Sequence, residues 1–183
     1  MKQINRRQFM KNACLSLAGT LIFPKNVYAS KPNIFAKYSE RELLARMIFG
    51  EARNCIFDEK IWIGLTPINR INDGKKYTGQ DSIKNILLKP KQYDCFDIRR
   101  TNRENYKKII HPEKYEPKAW EESLFVSTII LNDGLNYPNY RQTHYCKKEL
   151  IGRLLEGKLK VNPEKIELIN SLKKFKHQFY REI

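Results

Sequence analysis

Between Ser39 and Arg53 the apolar residues recur at helical spacing, with Leu44, Met47 and Ile48 on one face. Ser39 and Glu42 stand at the spacing of a capping box, which predicts a helix that starts after Ser39 and ends near Asn54. A second helical pattern covers Asp58 to Ile71, with Ile61, Leu65 and Ile68 on one side. Pro67 lies inside it and should kink or shorten it. Asn72-Asp73-Gly74 reads as a turn. Gln80 to Leu88 predicts a short helix, opened by Asp81 or Ser82 and stopped by Pro90. Residues 91–118 read as a polar, irregular connection carrying Tyr93, Phe96, Tyr106 and Tyr115, of the length that is usually functional or mobile.

The strongest later pattern covers Pro117 to Asn132, with Trp120, Leu124, Ser127 and Leu131 in register and Asp133-Gly134 as its end. Trp120 is expected in the core. Asn136 to Asn139 reads as a loop, Gln142 to Cys146 as a short strand and Glu149 to Gly157 as a helix. Asn162-Pro163 should open another helix over Glu164 to Leu172, and His177 to Tyr180 alternates like a strand. The expectation is a mainly α domain (α+β) with a small β element.

The first 29 residues change the picture of charge and location. Arg6-Arg7 is followed by Phe9, Met10 and Lys11, then by the mild apolar run Ala13 to Phe23 and by Val27-Tyr28-Ala29. This has the order of a charged region, an apolar region and a cleavage site, and the arginine pair resembles the twin-arginine export signal. Residues 1–29 are therefore expected to be a signal peptide, 30–38 a linker and 39–183 one domain. Export to the periplasm, the envelope or the exterior follows. The apolar run is too short and too polar for a typical span, so membrane contact is expected only through an uncleaved signal. The chain carries 35 Lys and Arg against 20 Asp and Glu, for a net charge of +15, which falls to about +10 without the leader. Such an excess predicts an acidic partner or an anionic surface. Nucleic acid is one such partner and a bacterial wall or envelope another; no zinc-finger spacing or RNP-like motif supports the first, and the plain alternative is that the charge serves solubility. After the leader come Cys55, Cys95 and Cys146, an odd number that leaves at least one thiol unpaired in a monomer.

Glu51 lies seven, four and three residues after Leu44, Met47 and Ile48, so its carboxyl emerges at the end of the apolar stripe. Apolar neighbours solvate a charge poorly, which favours the proton, and a protonated Glu near neutral pH is what a general acid needs. The plain alternative is that Glu51 ends a helix and faces water.

Several short motifs occur in a fixed order. They are Leu43-Leu44-Ala45-Arg46-Met47-Ile48-Phe49-Gly50-Glu51-Ala52-Arg53, then Gly64 and Asn69-Arg70, then Gln92-Tyr93-Asp94-Cys95. Ala119-Trp120, Thr143-His144-Tyr145 and His177-Gln178-Phe179-Tyr180 follow. The ordered set resembles the cell wall hydrolase family of the spore cortex-lytic enzyme SleB, over about residues 40–180. Three departures stand out. Asn54-Cys55 replaces the family's Gly-Glu, so its second acid is missing. Arg141-Gln142 replaces a Gly-Ala pair, and Lys147 to Pro163 does not match. The resemblance implies a lysozyme-like fold and cleavage of the peptidoglycan glycan strand by a lytic transglycosylase with a single essential glutamate, which falls on Glu51.

In that chemistry Glu51 gives its proton to the oxygen between N-acetylmuramic acid and N-acetylglucosamine. It then takes one from the muramic 6-hydroxyl, which leaves a 1,6-anhydro sugar. One carboxyl serves twice, unlike the usual two-carboxylate glycosidase. Gln92, Tyr93, Thr143, His144, Tyr145 and Tyr180 are the candidates to line the sugar groove, against a role in packing alone. Asn69 is as good a helix cap as a ligand, and His177 suits a satisfied, partly buried histidine. No metal or other cofactor is expected, since there is no HExxH motif and the chain has 3 histidines. Three rivals remain: a two-carboxylate muramidase using Asp94 or Asp97, a thiol or metal amidase of the stem peptide with Cys95 and His144 as the conceivable pair, and a non-catalytic wall-binding module.

Overall fold

The helix expected after Ser39 runs over Glu40–Ala52 (α1) in the computed structural model, which describes residues 33–73, 81–133, 141–156, 162–169 and 173–182. Both halves of the capping box form. The Ser39 N–H donates to Glu42 Oε2 at 3.1 Å, and the Glu42 N–H donates to Ser39 Oγ at 3.3 Å. The helix is buried on more than the expected stripe: Leu43, Ala45 and Phe49 are as enclosed as Leu44, Met47 and Ile48. Arg46 is buried too. Its guanidinium donates to the carbonyls of Ile109 and Ile110 and lies 3.9 Å from the Tyr38 ring centroid. With one arm of Arg46 held by these carbonyls, α1 becomes the centre of the core instead of its edge.

The second helix, α2 (Phe57–Asn72), continues through Pro67. The expected shortening does not occur. Proline costs a helix about 3 kcal/mol, and burial of Ile63, Leu65, Thr66 and Pro67 itself outweighs that locally. Gly64 lets three helices meet, because a Cβ there would come within 2.5 Å of Ile130 and 2.8 Å of Ile48. A short helix, α3 (Ile83–Leu87), is capped by Ser82, whose hydroxyl accepts the Asn85 N–H at 3.1 Å.

Residues 91–118 are more ordered than their polarity predicts. They form a 3-10 turn (Asp94–Phe96), α4 (Arg103–Ile110) behind an Asn102 cap, and α5 (Pro112–Tyr115). A few apolar anchors suffice, since Cys95, Phe96 and Ile109 are buried. The expected linker also needs correction. Ile34–Lys37 is a 3-10 turn, and Phe35 is wholly buried with its ring 4.9 Å from Phe96 and 5.7 Å from Tyr106. The compact unit therefore spans Ile34–Ile183.

Helix α6 (Pro117–Asp133) packs on α1 and α2. Its buried face is Trp120, Ser123, Val126, Ser127 and Ile130, while Leu124 and Leu131 are half-buried. The two buried hydroxyls donate back into their own helix, to the carbonyls of Ala119 and Leu124.

The β element is a three-stranded antiparallel sheet in the order β1-β3-β2, formed by β1 (His144–Lys147), β2 (Ile166–Ile169) and β3 (His177–Glu182). The helix expected over Glu164–Leu172 is overturned. Asn162 caps only the 3-10 turn Pro163–Lys165, and the following residues pair with β3, Leu168 opposite Tyr180 and Ile169 opposite Phe179. A β3 strand with an open edge outweighs the local helical preference. Phe179 is fully buried and carries the sheet onto α2 through Trp62, at 5.0 Å between rings. The expected helix after β1 is a 3-10 turn (Lys148–Leu150) followed by α7 (Ile151–Leu155).

The chain is thus mainly helical with a small sheet. No described helix is long and apolar enough to cross a membrane. The expected signal peptide, the loop at 136–139 and the glycines at 74, 134 and 157 lie outside the described residues.

Candidate active site

Glu51 sits in the last turn of α1, just before the helix ends at Ala52. Its predecessor is Gly50, where a Cβ would come within 2.6 Å of Cys95 Cβ. The missing side chain lets the Asp94–Phe96 turn close onto α1, and this brings Cys95 to Glu51. The Cys95 thiol and backbone N–H stand near enough to the Glu51 carboxyl to act on its charge. The carboxyl end is enclosed, while the residue as a whole stays half-exposed. Desolvation raises the carboxyl above its ordinary range, and the charge of Asp94 adds to this. The two Cys95 donors and the charge of His177 pull the other way without winning.

Tyr145 on β1 faces the same carboxyl. Burial pushes its phenol well above the usual range, and the charge of Glu51 adds to this, with Tyr93 and Cys95 acting in the same sense. Arg70 ties this group to the sheet. Its Nε donates to the Thr143 carbonyl at 2.7 Å, and its Nη1 donates to Tyr93 Oη at 3.4 Å. Asn69 donates through Nδ2 to the Gln142 carbonyl at 2.7 Å. The Asn69-Arg70 pair therefore grips the backbone that leads into β1, and Asn69 is neither a helix cap nor a groove residue.

The other groove candidates are committed elsewhere. Thr143 donates its N–H to the Tyr180 carbonyl, and its hydroxyl lies 2.9 Å from His144 Nδ1. His144 stacks on Tyr180, with ring centroids 5.0 Å apart and 14° between planes. Gln92 is half-buried, and its N–H donates to the Lys89 carbonyl at 3.1 Å. Of the six, Tyr145 is linked electrostatically to Glu51, and Tyr93 reaches it through Tyr145 and Arg70; Thr143, His144 and Tyr180 make contacts within the sheet, and Gln92 a backbone bond in its turn.

Glu51 opens onto a cleft of about 550 Å³ that none of those six residues borders. Its walls come from the end of α1 through Cys55, from Asn105 of α4, from Lys147 at the end of β1 with Lys148 and Glu149 after it, and from Lys176 and His177 at the start of β3. Arg53 is fixed by Asn105 Oδ1 at 2.7 Å and by Glu116 at 3.4 Å. Three lysines and one arginine on the walls give the cleft a cationic lining.

The wall opposite Glu51 holds a cluster that the sequence reading missed. Glu59 is fully buried in the first turn of α2. Its Oε1 accepts the N–H groups of Lys176 and His177, and lies 2.8 Å from His177 Nδ1. His177 is the satisfied, buried histidine expected, yet it also lines the cleft. Cys55 Sγ lies 4.0 Å from the same Nδ1. Burial, then the charge of Glu59, pushes the Cys55 thiol up to about 11. Cys55 and Glu59 are four residues apart, which is the only trace of this cluster that the sequence carries.

The rival pairs separate clearly. Cys95 is buried, and desolvation followed by the Glu51 charge pushes its thiol well above the usual range, the opposite of an activated nucleophile. Asp97 is held below its ordinary range by the Arg99 side chain, then by the Arg99 N–H. Asp94 pairs with Arg100 at 2.9 Å but still acts electrostatically on Glu51. Cys55, Cys95 and Cys146 are all free thiols. No known protein family, curated protein or solved structure matches the chain.

Proposed function

We propose that this protein cleaves the glycan strand of peptidoglycan between N-acetylmuramic acid and N-acetylglucosamine, as a lytic transglycosylase with Glu51 as its acid and then its base. The observation that carries the reading is a single carboxyl, raised by desolvation, at the mouth of a cleft with cationic walls. The ordered motif resemblance points the same way, toward a lysozyme-like domain. Its helix-borne acid would stand beside a small antiparallel sheet.

In the first step the protonated Glu51 donates to the bridging oxygen, the C1–O bond breaks, and an oxocarbenium-like centre forms on the muramic ring. In the second the Glu51 carboxylate takes the proton of the 6-hydroxyl, whose oxygen bonds to that centre. The acid is reset, and no water is consumed. A raised proton affinity serves both steps, since the group must hold a proton at the start and reclaim one at the end. The cationic walls suit the carboxylates of muramic acid and its stem peptide. Residues 1–29 deliver the domain out of the cytoplasm in this reading, to where that polymer lies.

The test is digestion of purified sacculi with mass spectrometry of the released fragments. Wild type should release 1,6-anhydro muropeptides, and Glu51→Gln should lower the rate by about 10²–10⁴-fold. Unchanged release by Glu51→Gln would end the proposal. Asp94 supports a second reading, because its charge reaches Glu51. A two-carboxylate muramidase would release reducing ends instead.

A further inference from the structure

We propose that Cys55, Glu59 and His177 form a binding site for one divalent transition-metal ion, zinc by chemical preference, with a fourth position open to the cleft. The three residues come from the loop after α1, the first turn of α2 and the first residue of β3. One ligand atom from each lies within 4.8 Å of the others.

The second observation is on Glu59. Its Oε1 is fully employed by two backbone N–H groups and by His177, all at 2.8 Å. Its Oε2 is buried with no hydrogen-bond partner. A buried carboxyl oxygen left bare is costly, and native structures give such atoms a partner or an ion. Here the bare atom belongs to the same cluster as a thiol and an imidazole nitrogen.

The geometry also separates this site from a catalytic triad. In a triad the histidine meets its nucleophile on one ring nitrogen and its carboxyl on the other. Here both Cys55 and Glu59 approach Nδ1. Three groups aimed at one point suit an ion, not a proton relay. Around tetrahedral zinc a sulfur and a nitrogen stand roughly 3.5 Å apart. The 4.0 Å between Cys55 Sγ and His177 Nδ1 needs only a few tenths of an ångström of closure. The ion would replace the proton between His177 and Glu59, with Oε2 turning to it while Oε1 keeps its backbone donors. Thiolate, imidazole and carboxylate together favour zinc over magnesium or calcium. Cys55 and His177 both border the cleft, which supplies the route in and the open position.

The test uses the reduced, metal-free full chain. Cobalt(II) titration should give a thiolate charge-transfer band that saturates at one ion per chain, and zinc should bleach it. The band should survive in a Cys14→Ser/Cys146→Ser variant and vanish on adding Cys55→Ser, with the far-ultraviolet dichroism unchanged. A variant-free arm reads the wild type by peptide mapping: saturating zinc should protect Cys55 from iodoacetamide and leave Cys146 as reactive as before. Absence of the band in wild type, its persistence without Cys55, or no protection of Cys55 would each overturn the site. None of these readouts uses glycan cleavage, so the site and the proposed activity fail separately.

Discussion

Glu51 borders the cleft, while Glu59 is buried behind Lys176 and His177 of its wall, and the surroundings of the two glutamates differ. Glu59 is completely buried, and its Oε1 meets three nitrogen atoms, two of them backbone N–H groups from the start of β3. Glu51, among the described residues, accepts no backbone N–H from the sheet; the thiol and N–H of Cys95 and the charges of Asp94 and His177 act on it. Glu59 thus joins α2 to β3 and is structural. Glu51 fastens no strand, and in the proposed reading its preference for the proton serves the chemistry. Burial alone does not make a catalytic acid; what counts is how many donors meet it there.

The comparison is broken most severely by removing Glu59. Glu59→Ala leaves two backbone N–H groups and a histidine nitrogen without their acceptor. The expected loss is about 3 kcal/mol of stability, read from the urea midpoint. A loss under about 0.5 kcal/mol, the range of ordinary surface changes, would show that Glu59 does not fasten the sheet.

The difference between the two glutamates also marks what the sequence could tell. Glu51 was legible because its setting is local: a cap at Ser39, a stripe at Leu44, Met47 and Ile48, and a carboxyl at the stripe's end. The long helices were legible for the same reason. Glu59 and His177 are 118 residues apart, and only the docking of β3 against α2 brings them together. The same limit explains the helix expected at Glu164–Leu172, whose strand conformation is imposed by Tyr180 and Phe179 on the neighbouring strand. Residues 91–118 misled differently. Their few anchors, Cys95, Phe96 and Ile109, are too sparse to show a period, although each is buried. Of the residues expected in the groove, none borders the cleft; Thr143, His144 and Tyr180 stand at motif positions that hold the sheet together.

Glu51 should respond to removal in the opposite direction from Glu59. Its folded carboxyl binds a proton more tightly than the unfolded one, because of desolvation. Its favourable contribution is then complete below the unfolded value, about 4.3, and is lost as pH rises through the raised folded value. Glu51→Gln carries no such penalty. The variant should match or trail wild type near pH 4 and exceed it at pH 8, in paired urea titrations. A stability gap that does not change with pH would mean that the carboxyl is not desolvated, and the case for its acid role would go with it.

The smallest effect belongs to the cleft rim, which shares neither glutamate's burial. Lys147 is exposed and only loosely paired, 4.0 Å from Glu149, yet it borders the cleft. Its charge meets solvent on one side, so water and salt screen whatever it attracts. Lys147→Gln should leave the urea midpoint unchanged and reduce retention on sacculi by about threefold or less at low salt. The difference should vanish at high salt, where the Debye length shrinks to about 3 Å at 1 M. Retention that falls equally at every salt concentration would mean that Lys147 makes a close, desolvated contact with the polymer. The rim would then hold substrate as firmly as the walls hold their glutamates, and the division between buried chemistry and exposed attraction would need redrawing.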